Sequence, residues 1–349
     1  VEASLKINGI NIGTGFAPYI VSELSGNHNN SIKNVLELLE KCAQAGVSAF
    51  KIQTYTADSM TVNSVSDKFV IKSGTWAGRN LYDLYSEGHT PTDWLPEIFS
   101  AAKAFGITVF STPFSPADVQ ILENFNVPAY KVASLEITYT QLLREIASTG
   151  KPVIFSTGLA TIDEISKTID ILTESGASEI AILKCTTNYP ADFSDLNLSS
   201  IPYLQEKFRL PVGFSDHTIG TTAAIAATAL GASIIEKHVK LDRDTTSVDS
   251  SFSLNASELK NFVSMINLTA DSIGSIQDGP TNSEQSYLRY RRSLIAKKEI
   301  KCGDLLTSEN VAIVRPNLGT GPDNYDSVIG KKANRDISFG EGIKLEYLT

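Results

Sequence analysis

The chain has 349 residues, 42% of them hydrophobic, with a formal net charge of -9. That apolar content can bury a large core, in one large domain or two smaller ones. The acidic balance argues against a nucleic-acid partner, which would need clustered Lys and Arg. The single short basic run, Arg289 to Ser293, reads as a solvated linker.

Taken in chain order, the first signal is LKINGINIG, where Asn8-Gly9 between alternating apolar positions predicts a β-hairpin. Eight short, nearly all-apolar runs follow, at about 19–25, 48–53, 107–111, 128–133, 152–157, 179–185, 211–215 and 232–238. Strands covered on both faces have this character. Amphipathic stretches precede most of them, several ending in a glycine (Gly46, Gly106, Gly150, Gly176, Gly231) placed to cap a helix. Eight strands alternating with helices predict an α/β protein, a (β/α)8 TIM barrel whose lower end the hairpin plugs. A doubly wound open sheet is the alternative. The connection from 54 to 106 is long and aromatic, a candidate lid or substrate wall.

The barrel pattern, residues 1–273, gives way to a polar linker over 274–292 and then to short β runs and Gly turns over 293–349, a second small domain. Cys42, Cys185 and Cys302 are dispersed and odd in number, which fits a reducing cytoplasm. VEASLKINGI has no secretory pattern. The longest apolar stretch, Ala223 to Ile235, falls short of the about 20 residues a membrane span requires.

In a barrel of this kind the chemistry sits at the C-terminal strand ends. Those ends hold, in order, Glu23; Lys51 and Gln53; Ser111 and Thr112; Lys131, Ser134 and Glu136; Ser156 and Thr157; Lys184, Thr186, Thr187, Asn188 and Tyr189; Ser215, Asp216 and His217; Glu236, Lys237 and His238. A lone histidine is most simply a hydrogen-bonded core residue. His217 and His238, at matching points of adjacent strands, instead form a candidate metal pair. Two imidazoles leave coordination positions for water and substrate oxygens, which suits Mn²⁺, Mg²⁺ or Co²⁺. His28 and His89 fall in loops. Lysines inside apolar strands are costly unless paired or used. Lys51 and Lys131, with Thr112, Ser134, Ser156 and Ser215, have the composition of a site for a phosphorylated carboxylate; pairing with Glu23 and Glu136 is the plainer explanation, and both can hold.

The stretches ELSGNH, FKIQT, STPF, AYKVAS, STG, KCTTNYP, GFSDHT and EKH, in this order, together resemble the sialic acid synthase family. VRPNLG and the C-terminal domain resemble that family's antifreeze-like (SAF) domain. The resemblance implies condensation of phosphoenolpyruvate with an open-chain acetamido sugar. KIQTYTADSMT and KSGTWAGRNLYDLY look most like the branch that takes 2,4-diacetamido-2,4,6-trideoxy-altrose and makes pseudaminic acid; N-acetylneuraminate and legionaminate synthesis are the alternatives. It further implies metal at His217 and His238. Lys51, Thr112, Lys131, Ser134, Ser156 and Ser215 would lie on phosphoenolpyruvate, with Glu23, Gln53 and Glu136 near the reacting carbons. Asn27, Phe114, Tyr189, Asp249 and Arg315 would face the sugar, Arg315 from the C-terminal domain of the second subunit in a domain-swapped homodimer. Thr187 stands where neuraminic acid synthases have Asn, with Asn188 one place later, so this sugar contact is open. From other classes, a metal-dependent barrel hydrolase and a non-catalytic sugar-binding protein are the rival readings.

Overall fold

A computed structural model describes residues 4–177 and 179–349; Val1–Ala3, just before the predicted hairpin, and Ser178 lie outside the described residues. The chain divides into two compact units, Val1–Gly274 and Ser275–Thr349.

The first unit is built on parallel strands β1 (Tyr19–Glu23), β2 (Ala49–Thr54), β3 (Thr108–Pro113), β4 (Tyr130–Val132), β5 (Val153–Ser156), β6 (Ile180–Cys185), β7 (Val212–Asp216) and β8 (Ile234–Lys240). Each pairs with the next, and β8 pairs with both β7 and β1, with Ile235 opposite Phe214 and Ile234 opposite Tyr19. The sheet is therefore closed, a TIM barrel and not a doubly wound open sheet.

Strand side chains alternate between two faces, and the alternation divides the core. Val153 and Phe155, with Phe50, Ile52, Val109, Val212 and Phe214, pack outward in the cluster that includes the helices. Ile154, with Tyr19, Val21, Ala49, Phe110, Ala181, Leu183 and Ile234, packs inward. The helices answer with one apolar face each: Ile32–Ala45 buries Val35, Leu38, Leu39 and Cys42 and ends at Gly46, whose φ of 81° needs no Cβ-bearing residue to be strained.

The inward apolar cluster is small because it fills only the lower lumen. It is completed by Leu5, Ile7 and Ile12 from the hairpin Ser4–Ile7/Ile10–Gly13. Asn8 and Gly9 both have positive φ, 47° and 87°, the turn that matches strand twist. The Asn8 amide donates to Thr108 Oγ1 at 3.1 Å, and Lys6 N–H donates to Glu179 Oε2 at 3.2 Å, both at the N-terminal strand ends. The hairpin thus seals the bottom, as the sequence predicts.

Between β2 and helix Leu95–Phe105 the long connection carries two further helices, Ala57–Met60 and Leu81–Gly88. Asn80 caps the second by accepting from Tyr82 N–H at 2.9 Å. Turn residues and aromatics hid this eight-residue helix in the sequence, since it is too short to show a period. The second unit has its own core, with Leu294, Ile300, Leu306, Val311, Val328, Ile337 and Ile343 around the antiparallel pair Ser293–Ala296/Val311–Val314. No helix among the described residues is long and apolar enough to cross a membrane.

Ile7 is fully buried in the plug. Ile7→Ala should therefore cost about 2–5 kcal/mol, read as a lowered urea midpoint for the first unit's unfolding.

Candidate active site

Above the apolar plug the lumen turns polar and opens into a cavity of about 640 Å³ at the C-terminal strand ends. The two-residue period delivers its lining: Lys51 and Gln53, Thr112 and Phe114, Cys185, Thr187 and Tyr189, Ser215 and His217, Glu236 and His238. Glu23, Lys131, Ser134, Glu136 and Ser156 join them. The opposite parity points away. Lys237 makes a buried ion pair with Asp216 at 2.8 Å, and Lys184 donates to the Cys185 carbonyl at 2.9 Å.

The floor is a charge cluster. Lys51 Nζ lies 2.6 Å from Glu23 Oε2, 3.7 Å from Glu236 Oε1 and 3.1 Å from Thr112 Oγ1. Lys131 Nζ donates to Ser156 Oγ at 2.7 Å and lies 3.7 Å from the same Glu236 oxygen, which also accepts from Ser215 at 3.2 Å. Glu23 is an expected partner of the lysines. Glu136 is not their partner; Glu236 takes that place, because β8 sets its carboxylate between the two ammonium groups. Burial pulls Lys131 below its usual range, whereas at Lys51 the burial effect is outweighed by Glu23 and Glu236, which raise it. Glu236 is held low because Lys131 and Lys51 overcome its burial. Gln53 donates to Glu23 at 2.9 Å and to Ser25 at 3.1 Å.

His217 and His238 do meet, with ring centroids 5.3 Å apart. His217 Nδ1 lies 2.9 Å from the Thr186 carbonyl. A carbonyl only accepts, so Nδ1 carries a proton, and Nε2 is the nitrogen that a ligand would take once its own proton has left. Burial is outweighed by Cys185 and the Thr186 carbonyl, which raise the His217 pKa. His238 is buried, and burial together with the His217 and Lys51 charges holds it well below the usual histidine range, as a neutral ring. Its Nδ1 has no hydrogen-bond partner; Asp249 Oδ2 stands 3.7 Å away. The two imidazoles would offer a divalent ion two nitrogen donors, and no group of three or more His, Cys, Asp or Glu converges on one point among the described residues. Glu136 Oε2 and Thr187 Oγ1 are likewise buried without a partner. Three such atoms around one cavity are the mark of a site shaped for a polar ligand.

The upper wall is apolar: Tyr55, Met60, Trp76, Leu84, Tyr85, Phe114, Leu135 and Val248. Tyr189 lies against the His217 ring, centroids 4.2 Å apart. Thr187 lines the cavity and Asn188 does not. Asp249 lines it too, accepting from Gly26 N–H at 3.3 Å. Asn27, expected to face the sugar, is not among the cavity-lining residues. Its amide donates to the Val239 carbonyl at 2.9 Å and Ser253 at 2.7 Å and accepts from Ser247, so it ties loops together outside the lining. His28 is buried beneath these loops with its ring edge-on to Trp94. Arg315 belongs to the second unit, just past strand Val311–Val314, and is exposed. Glu236 and Cys185 were missed as site residues. Counting back two from His238 and from Thr187 would have found both.

A TIM barrel closed below, with paired lysines, paired histidines and orphaned polar atoms at its upper rim, is an enzyme-like scaffold with one well-defined site. Residues 38–278 match the NeuB family and residues 291–348 a SAF domain. The chain belongs to the NeuB family. It is 42% identical over 337 residues to pseudaminic acid synthase of Campylobacter jejuni subsp. jejuni serotype O:2, covering 96% of this chain and 97% of that protein. Pseudaminic acid synthase of Helicobacter pylori is 39% identical, over 91% of this chain and 94% of its own. Among solved structures, the N-acetylneuraminic acid synthetase of Leptospira borgpetersenii serovar Hardjo-bovis, in complex with citrate, superposes with a TM-score of 0.74 at 27% identity, covering 82% of this chain and 95% of that one.

Burial, only partly offset by the Lys131 charge, raises the Glu136 carboxyl to about 7. The folded state therefore binds this proton more tightly than the unfolded chain, and stability falls as pH rises from the ordinary Glu value toward 7. Glu136→Gln should match wild type at pH 5 and exceed it in urea midpoint at pH 8.

Proposed function

We propose that the protein condenses phosphoenolpyruvate with 2,4-diacetamido-2,4,6-trideoxy-altrose and water, giving pseudaminic acid and phosphate. One observation carries this reading: a floor with two buried lysines and several hydroxyls lies directly beneath an apolar, aromatic wall. The floor suits a small dianionic-to-trianionic molecule, the wall a deoxygenated, acylated sugar. The identity to pseudaminic acid synthases supports the same choice over N-acetylneuraminate or legionaminate.

In this reading Lys51 and Lys131 hold the phosphate and carboxylate of phosphoenolpyruvate, with Thr112, Ser134, Ser156 and Ser215 donating to its oxygens. His217 and His238 would hold Mn²⁺, Mg²⁺ or Co²⁺, which when bound supplies Lewis-acid polarisation of the sugar aldehyde. C3 of phosphoenolpyruvate attacks the aldehyde carbon, and positive charge develops at C2. Glu23, oriented by Gln53, or Glu136 stabilises that charge as a carboxylate. Water adds at C2, and phosphate leaves with cleavage of its C–O bond. A Schiff base at either lysine is unnecessary, because phosphoenolpyruvate is already an activated enol. Tyr189, Phe114 and Asp249 line the sugar's side of the cavity. The same reading makes the chain a carbon–carbon bond-forming transferase of the cytoplasm, working as a homodimer.

Phosphate release that requires both phosphoenolpyruvate and the sugar is the direct test. Release without the sugar would indicate a hydrolase, and sugar binding without release a binding protein. We expect kcat/KM for the diacetamido-trideoxy sugar to exceed that for N-acetylmannosamine by at least roughly tenfold; the reverse order would assign the chain to another branch. His217→Ala and His238→Ala should each abolish Mn²⁺ binding in calorimetry while leaving the unfolding transition in place. The kcat/KM profile should fall below about pH 7 as Glu136 takes up its proton, and this limb should vanish in Glu136→Gln.

A further inference from the structure

The connection between β2 and helix Leu95–Phe105 does more than add residues to the cavity wall. Residues 70–80 form a small hairpin of their own: Ile71 N–H donates to the Arg79 carbonyl at 2.9 Å, Gly78 N–H to the Ile71 carbonyl at 2.8 Å, and Val70 bridges to Asn80. Its base is tied down by Asn80, whose amide donates to the Ser64 carbonyl at 2.8 Å, and by the Arg79–Glu87 ion pair. Its tip crosses the barrel mouth. There Thr75 donates its hydroxyl to the Tyr189 carbonyl, and Trp76 Nε1 donates to the Val248 carbonyl at 2.7 Å. These two acceptors stand on the loops that follow β6, across the barrel from β2, and β8, two strands from it on the other side of β1.

The acceptor for Trp76 is itself clamped. Val248 is seated against Gly26 and Gly88, so closely that a Cβ on Gly26 would lie 2.1 Å from Val248 Cγ2. The indole ring packs on Tyr189, centroids 5.4 Å apart, and edge-on to Phe252 at 6.3 Å. Tyr189 in turn covers the His217 ring at 4.2 Å. A ladder of rings thus runs from the strap tip to the histidine pair, while the inner side of the strap lines the cavity with Ile71 and Trp76.

We propose that residues 70–80 are a latched strap and that Trp76 is the specificity-determining residue on it, forming the apolar wall against which the deoxygenated end of the acetamido sugar lies and fixing Tyr189 over His217. The assignment of a sugar rests on the functional reading above; the latch does not. Entry of the sugar past this wall requires the two tip hydrogen bonds to open and re-form. Phosphoenolpyruvate enters by the same mouth but is the smaller molecule and, once held at the floor, lies below the strap. Loss of the latch therefore acts on the larger sugar, which touches the strap when bound.

The chain has two tryptophans, Trp76 and Trp94. In a Trp94→Phe background the emission of Trp76 reports the strap. Thr75→Ala in that background should raise acrylamide quenching of Trp76 in the ligand-free protein; unchanged quenching would show that the strap is not latched and overturn the proposal. Trp76→Phe keeps a ring and loses the N–H, and should raise the sugar KM about fivefold with the phosphoenolpyruvate KM unmoved. Trp76→Ala should reduce, by at least roughly tenfold, the kcat/KM preference for the 6-deoxy sugar over its 6-hydroxylated counterpart. Equal changes in both KM values, or an unchanged preference, would overturn Trp76's role; should the alanine variant fail to fold, the KM split in Trp76→Phe decides. A wild type that turns over no acetamido sugar defeats the functional reading and the sugar assignment with it, and the quenching result then decides the strap separately.

Discussion

Four charges share the barrel lumen, and the rest of the site is arranged around their balance. Lys51 and Lys131 are almost wholly buried, as are Glu23 and Glu236. None would be tolerated alone, since removing one partner of a buried pair costs about 3–5 kcal/mol. Together they are neutral in sum, and the hydroxyls of Thr112, Ser156 and Ser215 take up part of the hydrogen-bonding capacity that remains. Such a cluster does not exist for stability, because apolar residues of similar volume would fill the lumen as well or better. In the proposed reading it is a cluster held ready for an incoming anion, which would share the two lysines with the carboxylates already there.

The apolar lower lumen makes this possible. With the hairpin inserted, water reaches the charges from one side only, and the low surrounding polarity strengthens each attraction in the cluster. Position is equally tight at the loops. Gly158 is an instance: a Cβ there would stand 1.9 Å from Thr187 Oγ1 and 2.8 Å from Ser134 Oγ, so the STG turn after β5 keeps two hydroxyls in place by having no side chain of its own. The Gly158 N–H donates to Ser134 at 3.0 Å.

Much of this was legible in the sequence. The barrel showed itself because its strands are apolar on both faces and its helices end in glycine. The hairpin showed itself through Asn8-Gly9. His217 and His238 were found because histidine is rare in the chain and the two fall at equivalent strand ends. What escaped were facts of parity and of long-range packing. Glu136 and Glu236 have the same chemistry, but Glu236 stands on β8 itself while Glu136 lies in the turn Ser134–Glu136 beyond β4, and that placement decides which one reaches the lysines. Asn27 and Tyr82 sit in suggestive stretches, yet Asn27 is consumed by Val239, Ser247 and Ser253, and the Tyr82 hydroxyl goes to Asp58 at 3.2 Å. No local pattern encodes such partners, which lie tens or hundreds of residues away.

The plug at the bottom also governs the order of events. A lumen sealed by Leu5, Ile7 and Ile12 is a well with a single mouth, not a channel. Whatever occupies the lysine floor has to arrive before the molecule that fills the space beneath the aromatic wall, and it cannot leave past it. In the proposed reaction such a well would impose a sequence on its two substrates, the smaller anion first, and a sugar that arrived early would block the route to the floor and compete with the anion.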